Sequence, residues 1–454
     1  MRTAANFAFA SLLSSVLVTP AALAQNVSIA FQKTTLQNGL IVILSEDHAV
    51  PQAVVNVTYD VGSRMERAGR TGFAHLFEHL MFMGTEHAPA KMFDAWMESA
   101  GGRNNAWTAE DRTDYFDIAP STALPLLLWL EADRMRNLGP LIDQTKLNLQ
   151  RDVVRNERRQ SIENRPYGVE ELELPKLLWP PSHPYHHPVI GSHEDLEAAD
   201  VSDVKQFFAT WYDPGNASLV VAGDFDPKQA TASIDRLFGS IPSRGKPPDP
   251  GAPAEFATGK TSLSTVVRAT VPDQVQLTKV TFAWQSPRQF AKGDAELDLL
   301  ASVLTQGKAS RLYKALVYDQ KIAQSVTAHQ ESRALGSEFV IEVIARPGVD
   351  PARIEKAIWV ELDKVREKEV AAEELERARN GYETEFVDRL QNVAERASLL
   401  NMYQAEVGDP GYAQRDLDRY RNATAADLLS YAKSVLLPDA LVILTIVPKK
   451  EAKP

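Results

Sequence analysis

The segment His75-Leu76-Phe77-Glu78-His79 brings together three side chains suited to metal-assisted hydrolysis. At about 100° per residue, a helix carries His75, Glu78 and His79 within roughly one third of its circumference. Imidazoles at i and i+4 then reach one metal from adjacent turns. The carboxylate beside them can take a proton from a water that the metal activates. Catalytic zinc takes three protein ligands and keeps one position open, so the pair needs a third ligand from elsewhere. The chain contains no cysteine, which leaves histidine and carboxylate as donors and excludes disulfides and thiolate zinc sites.

The best third ligand is Glu157. The helix expected around it carries Leu147 and Val154 on one face, and Glu157 continues that face three residues after Val154. A carboxylate on an apolar stripe is costly to bury unless it is paired or metal-bound. Arg158 and Arg159 point elsewhere on the same helix. After the first motif, Leu80-Met81-Phe82-Met83-Gly84 continues as an apolar run. That places the helix in the interior and favours ligation over a surface His–Glu pair. His183-Pro184-Tyr185-His186-His187 is dense in histidine, but Pro180, Pro181, Pro184 and Pro188 interrupt it, so a solvated loop is expected rather than a helical ligand face. His48, His87, His193 and His329 have no ligand-like company in the sequence.

The elements that must position these residues mix strands and helices. Asn38-Gly39 between two short apolar runs reads as a hairpin turn. A strand over 54–59 leads to a helix from about Gly72, with further helices near 125–137 and 144–163. The stretch from Ile241 to Gly251 is rich in proline and glycine, as suits an exposed linker. The two sides of it look related. Asp200-Val201-Ser202-Asp203 opens an amphipathic helix that ends at Tyr212-Asp213-Pro214 before an apolar strand over 217–222. Thr424-Ala425-Ala426-Asp427 opens another that ends at Leu437-Pro438-Asp439 before a strand over 441–447. In both, an N-cap residue is followed three positions on by an acid, which satisfies free N–H groups and suits the helix dipole. The same offset, less one residue, pairs 54–59 with 280–283 and Gly84 with Gly307, so internal duplication is the better reading. The expected fold is α+β: two duplicated α/β sandwich units, each a mainly antiparallel sheet with helices packed on one face. Their boundaries are expected at 25–241 and 263–454, joined by a linker over 242–262.

Composition narrows the function classes. A length of 454 residues exceeds what one compact core supports, and a formal net charge of −11 provides no basic field for nucleic acid. Arg2, an apolar stretch over 7–18 and Ala22-Leu23-Ala24 before Gln25 read as an export signal over 1–24. No later stretch approaches the roughly 18 apolar residues a membrane span needs, so an exported, periplasmic and soluble mature protein is expected.

Taken together, His75-x-x-Glu78-His79 and the distant Glu157 resemble the inverted-motif zinc peptidases of the pitrilysin/insulinase family. Gly72-Phe73-Ala74, Phe82-Met83-Gly84, Asn105-Ala106-Trp107-Thr108, Asn156-Glu157-Arg158-Arg159, His183-Pro184-Tyr185 and Tyr212-x-Pro214-x-Asn216 extend the resemblance over most of the chain. It implies one zinc per chain on His75, His79 and Glu157, with Glu78 as general base. It also implies peptide substrates added as a strand to a sheet edge, to which Asn105 and Ala106 correspond. In the family, clam-shell halves enclose peptides or unfolded segments rather than folded proteins.

The chain departs from that pattern in its second half. At the offset that pairs Gly84 with Gly307, His75, Glu78 and His79 fall on Asp298, Ala301 and Ser302. The family's substrate-binding Arg and Tyr, seven residues apart, fall on Val317 and Gln324, which cannot replace them. Arg311 and Tyr318 have the right separation but lie a turn or more early, and are read as structural. A chain of two units, where self-enclosing members have four, needs a partner. The expectation is therefore the zinc-bearing subunit of a heterodimer, of processing-peptidase-like size, whose partner supplies the Arg and Tyr; a homodimer would lack that pair. The competing readings are a non-catalytic structural or substrate-holding member of the family, and a zinc transport or storage protein.

Overall fold

The computed structural model describes residues 26–251 and 262–449; the expected leader and part of the expected linker lie outside the described residues. The first half runs β1 (Gln32–Thr35), β2 (Ile41–Glu46), β3 (Gln52–Tyr59), α1 (Phe73–Leu80), α2 (Met92–Ser99), β4 (Arg103–Thr108) and β5 (Thr113–Pro120). It continues through α3 (Leu124–Asn137), α4 (Gln144–Glu157), α5 (Val169–Leu178), α6 (His193–Ala198), α7 (Val201–Trp211), β6 (Ala217–Gly223) and α8 (Pro227–Phe238). The second half runs β7 (Val267–Asp273), β8 (Lys279–Ser286), α9 (Asp294–Thr305), β9 (Ala323–Glu331), β10 (Ser337–Ala345) and α10 (Pro351–Glu367). It ends with α11 (Ala372–Gln391), α12 (Val393–Val407), α13 (Ala413–Asn422), α14 (Ala425–Val435) and β11 (Val442–Pro448).

The strands form two sheets, ordered β1-β2-β6-β3-β5-β4 and β7-β11-β8-β10-β9. Without β1 the two orders match strand for strand. Each has one parallel pair in the same place, β2 with β6 and β11 with β7, and antiparallel pairing elsewhere. The fold is α+β and duplicated. Helices α7 and α14, with N-caps Asp200 and Thr424, precede the matching strands β6 and β11. Gly84 and Gly307 both adopt left-handed backbone, at φ 75° and 80°.

Helices pack on one face of each sheet, and a helix lent by the other half closes the opposite face. Val393, Ala397 and Leu400 of α12 lie against Ile43, Val54, Ile118, Val220 and Ala222 of the first sheet. Leu174 and Leu178 of α5, with Trp179, lie against Ala283, Val340, Val442, Leu444 and Ile446 of the second. This double coverage explains why β6 is buried at every position rather than on alternate ones. At the first of these seams the Asn401 amide donates to the Asn56 main-chain carbonyl (3.0 Å) and to its side-chain oxygen (2.6 Å).

The segment before residue 252 is largely exposed and anchored at several points: Arg244 N donates to Asp213, Lys246 pairs with Asp60 (2.5 Å), and Arg64 grips Asp249 with two nitrogens at 2.6 and 2.9 Å. One expectation needs correction: the histidine-rich segment is not a solvated loop. Prolines do confine its helix to the single turn Pro184–His186, but His183 and Tyr185 are buried, and His183 stacks on Trp179 with ring centres 4.2 Å apart. The apolar ring faces outweigh the loop's polarity because this segment lies where the two halves meet.

Candidate metal centre

Helix α1 is set in place at its N-terminus by groups outside it. Gly72 starts it at φ 87°, and a Cβ there would lie 2.6 Å from the Ile190 carbonyl oxygen, so glycine is required. The fully buried Glu66 side chain accepts from Gly72 N (2.9 Å) and Ala74 N (2.7 Å), satisfying first-turn donors, while burial pushes its carboxyl pKa well up. The apolar residues Leu76, Phe77 and Leu80 then bury one face of α1, which turns His75 and His79 toward the end of α4.

There the side chains of His75, His79 and Glu157 converge, each offering one ligand atom within 4.8 Å of the others. His75 Nε2 lies 3.7 Å from Glu157 Oε1 and His79 Nε2 lies 3.1 Å from Glu157 Oε2. Donors about 2.1 Å from a tetrahedral zinc are roughly 3.4 Å apart, a value these two distances bracket. His75 Nδ1 is buried without a hydrogen-bond partner, so the polar outlet of that ring is the nitrogen aimed at Glu157. Burial, reinforced by the neighbouring His79, pushes the His75 pKa down to about 4, which keeps the ring neutral and its lone pair free to ligate. The Glu157 pKa is lowered, first by the hydrogen bond from His79, so the carboxylate is held ionised. Two neutral-capable imidazoles and one anionic carboxylate form a donor set that fits a zinc ion with one open position. The ground for choosing Glu157 shifts, however. Its side chain is 39% exposed, so it stands partly in solvent rather than within the apolar stripe.

Glu78 points to the same space from between the two histidines. It is 9% exposed, and burial raises its carboxyl pKa while a hydrogen bond from Thr108 opposes the rise. Thr108 Oγ1 donates to Glu78 Oε2 at 2.6 Å. Thr108 ends β4, which is the edge strand of its sheet and also carries Asn105 and Ala106. Asn105 is exposed, and its side-chain oxygen accepts from Ala106 N at 2.9 Å, capping an edge donor. The roles of Thr108 and Glu66 do not emerge from the sequence. Thr108 stood within a recognisable segment without a function, and nothing about Glu66 marks it as a cap for a helix that starts seven residues later.

The corresponding place in the second half, between α9, β9 and α11, holds a cavity of about 420 Å³ lined by Asp298, Ser302, His329, Glu385 and Arg389 among others. Among the described residues, the His75, His79 and Glu157 group is the one cluster of metal-ligating side chains that converges. Other histidines do have acidic neighbours: His48 sits between Glu46 (2.7 Å) and Asp224 (2.6 Å), and His87 pairs with Asp133 (2.9 Å). Arg311 is held by Glu374 at the start of α11, through contacts of 2.8 and 2.6 Å, and Tyr318 is 71% exposed. Val317 packs against the second core and Gln324 is exposed on β9.

Residues 41–177 match the family described as Insulinase (Peptidase family M16), and residues 198–382 match the Peptidase M16 inactive domain. An uncharacterized zinc protease of Mycobacterium leprae is 30% identical over 316 residues, which span 70% of this chain and 69% of that protein. The chain belongs to the insulinase family. Zinc protease PqqE of Helicobacter pylori is 29% identical over 373 residues, 82% of this chain and 83% of the relative. Among solved structures of the same fold, a protease from Helicobacter pylori aligns with a TM-score of 0.84 at 26% identity, covering 92% of this chain and all of that one. The periplasmic protease PqqL from Escherichia coli aligns at 0.76 and 19% identity, and there 92% of this chain covers 47% of the longer protein. The insulinase match contains all four residues of the metal centre, whereas the inactive-domain match contains Asp298, Ala301 and Ser302. Among the described residues no helix is long and apolar enough to cross a membrane.

Proposed function

We propose that this insulinase-family chain is a zinc-dependent endopeptidase subunit that hydrolyses peptides or unfolded segments. The observation that carries the reading is the convergence of His75, His79 and Glu157 beside a buried, hydrogen-bonded Glu78. His75, His79 and Glu157 would hold the ion. Zinc bound there supplies Lewis acidity, polarising a peptide carbonyl and making water acidic near neutral pH. Glu78 is the base: with one oxygen held by Thr108, the other takes the proton of the attacking water and passes it to the leaving amine. Asn105 and Ala106 present the edge of β4 to the substrate, whose main chain adds as a further strand while its side chains alternate toward and away from the cavity. The non-catalytic alternative is disfavoured because the inactive-domain match falls on the half without the triad.

The boundaries 25–241, 242–262 and 263–454, the leader over 1–24 and a periplasmic location belong to the same proposal. So does a homologous partner. Arg311 is committed to Glu374, and Tyr318 is exposed to solvent. PqqL, about twice the length of this chain, is compatible with a second pair of units completing the chamber. The test is to purify the chain alone and with candidate neighbours, then measure zinc content and peptide hydrolysis with and without a chelator. Chelator-sensitive hydrolysis that needs a second subunit is expected. Full activity from the lone chain would overturn the heterodimer, and hydrolysis insensitive to chelation would overturn the zinc mechanism.

A further inference from the structure

We propose that Thr108 is the positioning residue that aims Glu78, and that the metal-free half of the chain holds Thr108 in place; the inference rests on the peptidase reading above. A glutamate reaches its carboxylate through three rotatable bonds, so a base in a cavity needs something to choose its direction. The hydrogen bond from Thr108 Oγ1 at 2.6 Å makes that choice for one oxygen and leaves the other unengaged by it, in a carboxylate that feels the charges of His79 and Glu157. Threonine suits the task because its branched Cβ restricts χ1, so the hydroxyl has little freedom of its own.

The support beneath Thr108 is unusually well tied. It pairs with Thr113 as the last rung of the β4–β5 ladder, and the turn beyond it, residues 109–112, is gripped from two sides. From the first half, Ser63 N donates to the Ala109 carbonyl (3.1 Å) and Arg64 N to the Glu110 carbonyl (3.0 Å). Gly62 lets that approach happen, since a Cβ there would lie 2.3 Å from the Ala109 oxygen. From the second half, the turn between β9 and β10 supplies Arg333, paired with Glu110 at 2.9 Å, and Ala334 N, which donates to Asp111 at 3.0 Å. Tyr185 completes the joint: its hydroxyl donates to Asp111 (2.7 Å) and accepts from Leu335 N (3.0 Å). Arg64 pairs with the same aspartate at 2.9 Å. The second half thus fixes the turn that follows Thr108, although it carries none of the triad.

Thr108 is neither a zinc ligand nor a residue of the exposed edge positions, so losing its hydroxyl should affect turnover rather than binding. Thr108→Val keeps the shape and removes the donor. Relative to wild type we expect kcat to fall about 10-fold or more, with KM within about twofold and zinc still one per chain. Thr108→Ser, which restores the donor, should return kcat to within about threefold of wild type. A third readout needs no turnover: in metal-free protein, Thr108→Val and Glu78→Ala should shift the unfolding midpoint non-additively, because they remove the two ends of one bond. A valine variant that keeps kcat within twofold, a serine variant as impaired as valine, or additive midpoint shifts would each overturn the inference. A wild-type chain with its partner but without chelator-sensitive hydrolysis would instead overturn the peptidase reading on which it rests.

Discussion

The two halves of this molecule place the same elements around different chemistry. In each, the first helix after the central strand, the edge strand and the second long helix enclose one space: α1, β4 and α4 in one, α9, β9 and α11 in the other. The first space is occupied by two imidazoles and a carboxylate aimed at one point, the second is an open cavity of about 420 Å³. Burial acts on both with the same physics and opposite sign. It pushes the His75 pKa down to about 4 and that of Asp298, its counterpart by offset, up to about 7, so each position favours its neutral form. A neutral histidine is a ligand, while a neutral carboxylic acid is a poor one. The difference between a candidate metal centre and a cavity therefore lies in side-chain identity on a retained scaffold, and in the proposed arrangement the second half braces the first.

The sharpest break of that comparison is Glu78→Gln. The change keeps the volume and leaves the three ligands untouched, so zinc content should be unaltered. Removing a general base should lower kcat by about 10²- to 10⁴-fold. Zinc analysis and initial rates on an unstructured peptide decide it, and retained hydrolysis would return the base assignment to the pool. The equivalent residue in the other half, Ala301, has no carboxylate to lose.

Next in size are the lent helices. Leu400 of α12 and Leu178 of α5 are fully buried, each against the sheet of the opposite half. Leu400→Ala and Leu178→Ala should each cost about 2–5 kcal/mol, through lost burial and a residual cavity. Chemical denaturation should show each change destabilising both halves in one transition. A cost below about 1 kcal/mol, or one half melting alone, would mean the reciprocal packing is not what joins them.

How much of this was readable beforehand divides along physical lines. The His75, Glu78 and His79 constellation is local, set by helical period, and so is visible in five residues. The duplication is visible because N-cap chemistry and a proline recur before two apolar strands. The apolar stripe points to Glu157, yet its side chain is partly exposed, and what distinguishes it is its approach to His79 across two helices. The sequence pattern leads to helices on one face of each sheet; α5 and α12 give no sign that they cover the opposite faces. Thr108, Glu66 and the Asp111 joint depend on chain segments meeting at long range, and residue spacing carries no information about that.

Asp298 offers a smaller, pH-dependent effect. Its pKa is pushed up to about 7, first by burial, against a hydrogen bond from the Tyr420 hydroxyl (2.7 Å). Folding therefore favours the protonated acid. The stability this contributes is fully present below the unfolded value near 3.8 and is lost as pH rises through about 7. Asp298→Asn stays neutral and still accepts from Tyr420, so it removes that dependence. Between pH 4 and 7 the variant should gain on wild type by a few kcal/mol at most, at about 1.4 kcal/mol per unit. Parallel stability–pH curves would show that the cavity, although bounded like the metal centre, does not desolvate its acid.

The smallest expected effect bears on what the metal-free half lacks. Tyr318 is the most exposed large aromatic of that half, whereas Arg311 is engaged by Glu374. Tyr318→Ala should change stability by less than about 0.5 kcal/mol, as for an exposed residue without a special contact, and leave kcat and KM unaltered. Arg311→Gln should cost no more than about 1 kcal/mol, the worth of a partly exposed pair. If either change instead lowered kcat 100-fold with zinc retained, the chain would be supplying its own oxyanion-binding pair. Two copies could then complete a chamber, and the case for a different partner would fall with it. Unchanged kinetics in both variants would favour a second subunit as the source of the donors that a tetrahedral oxyanion requires.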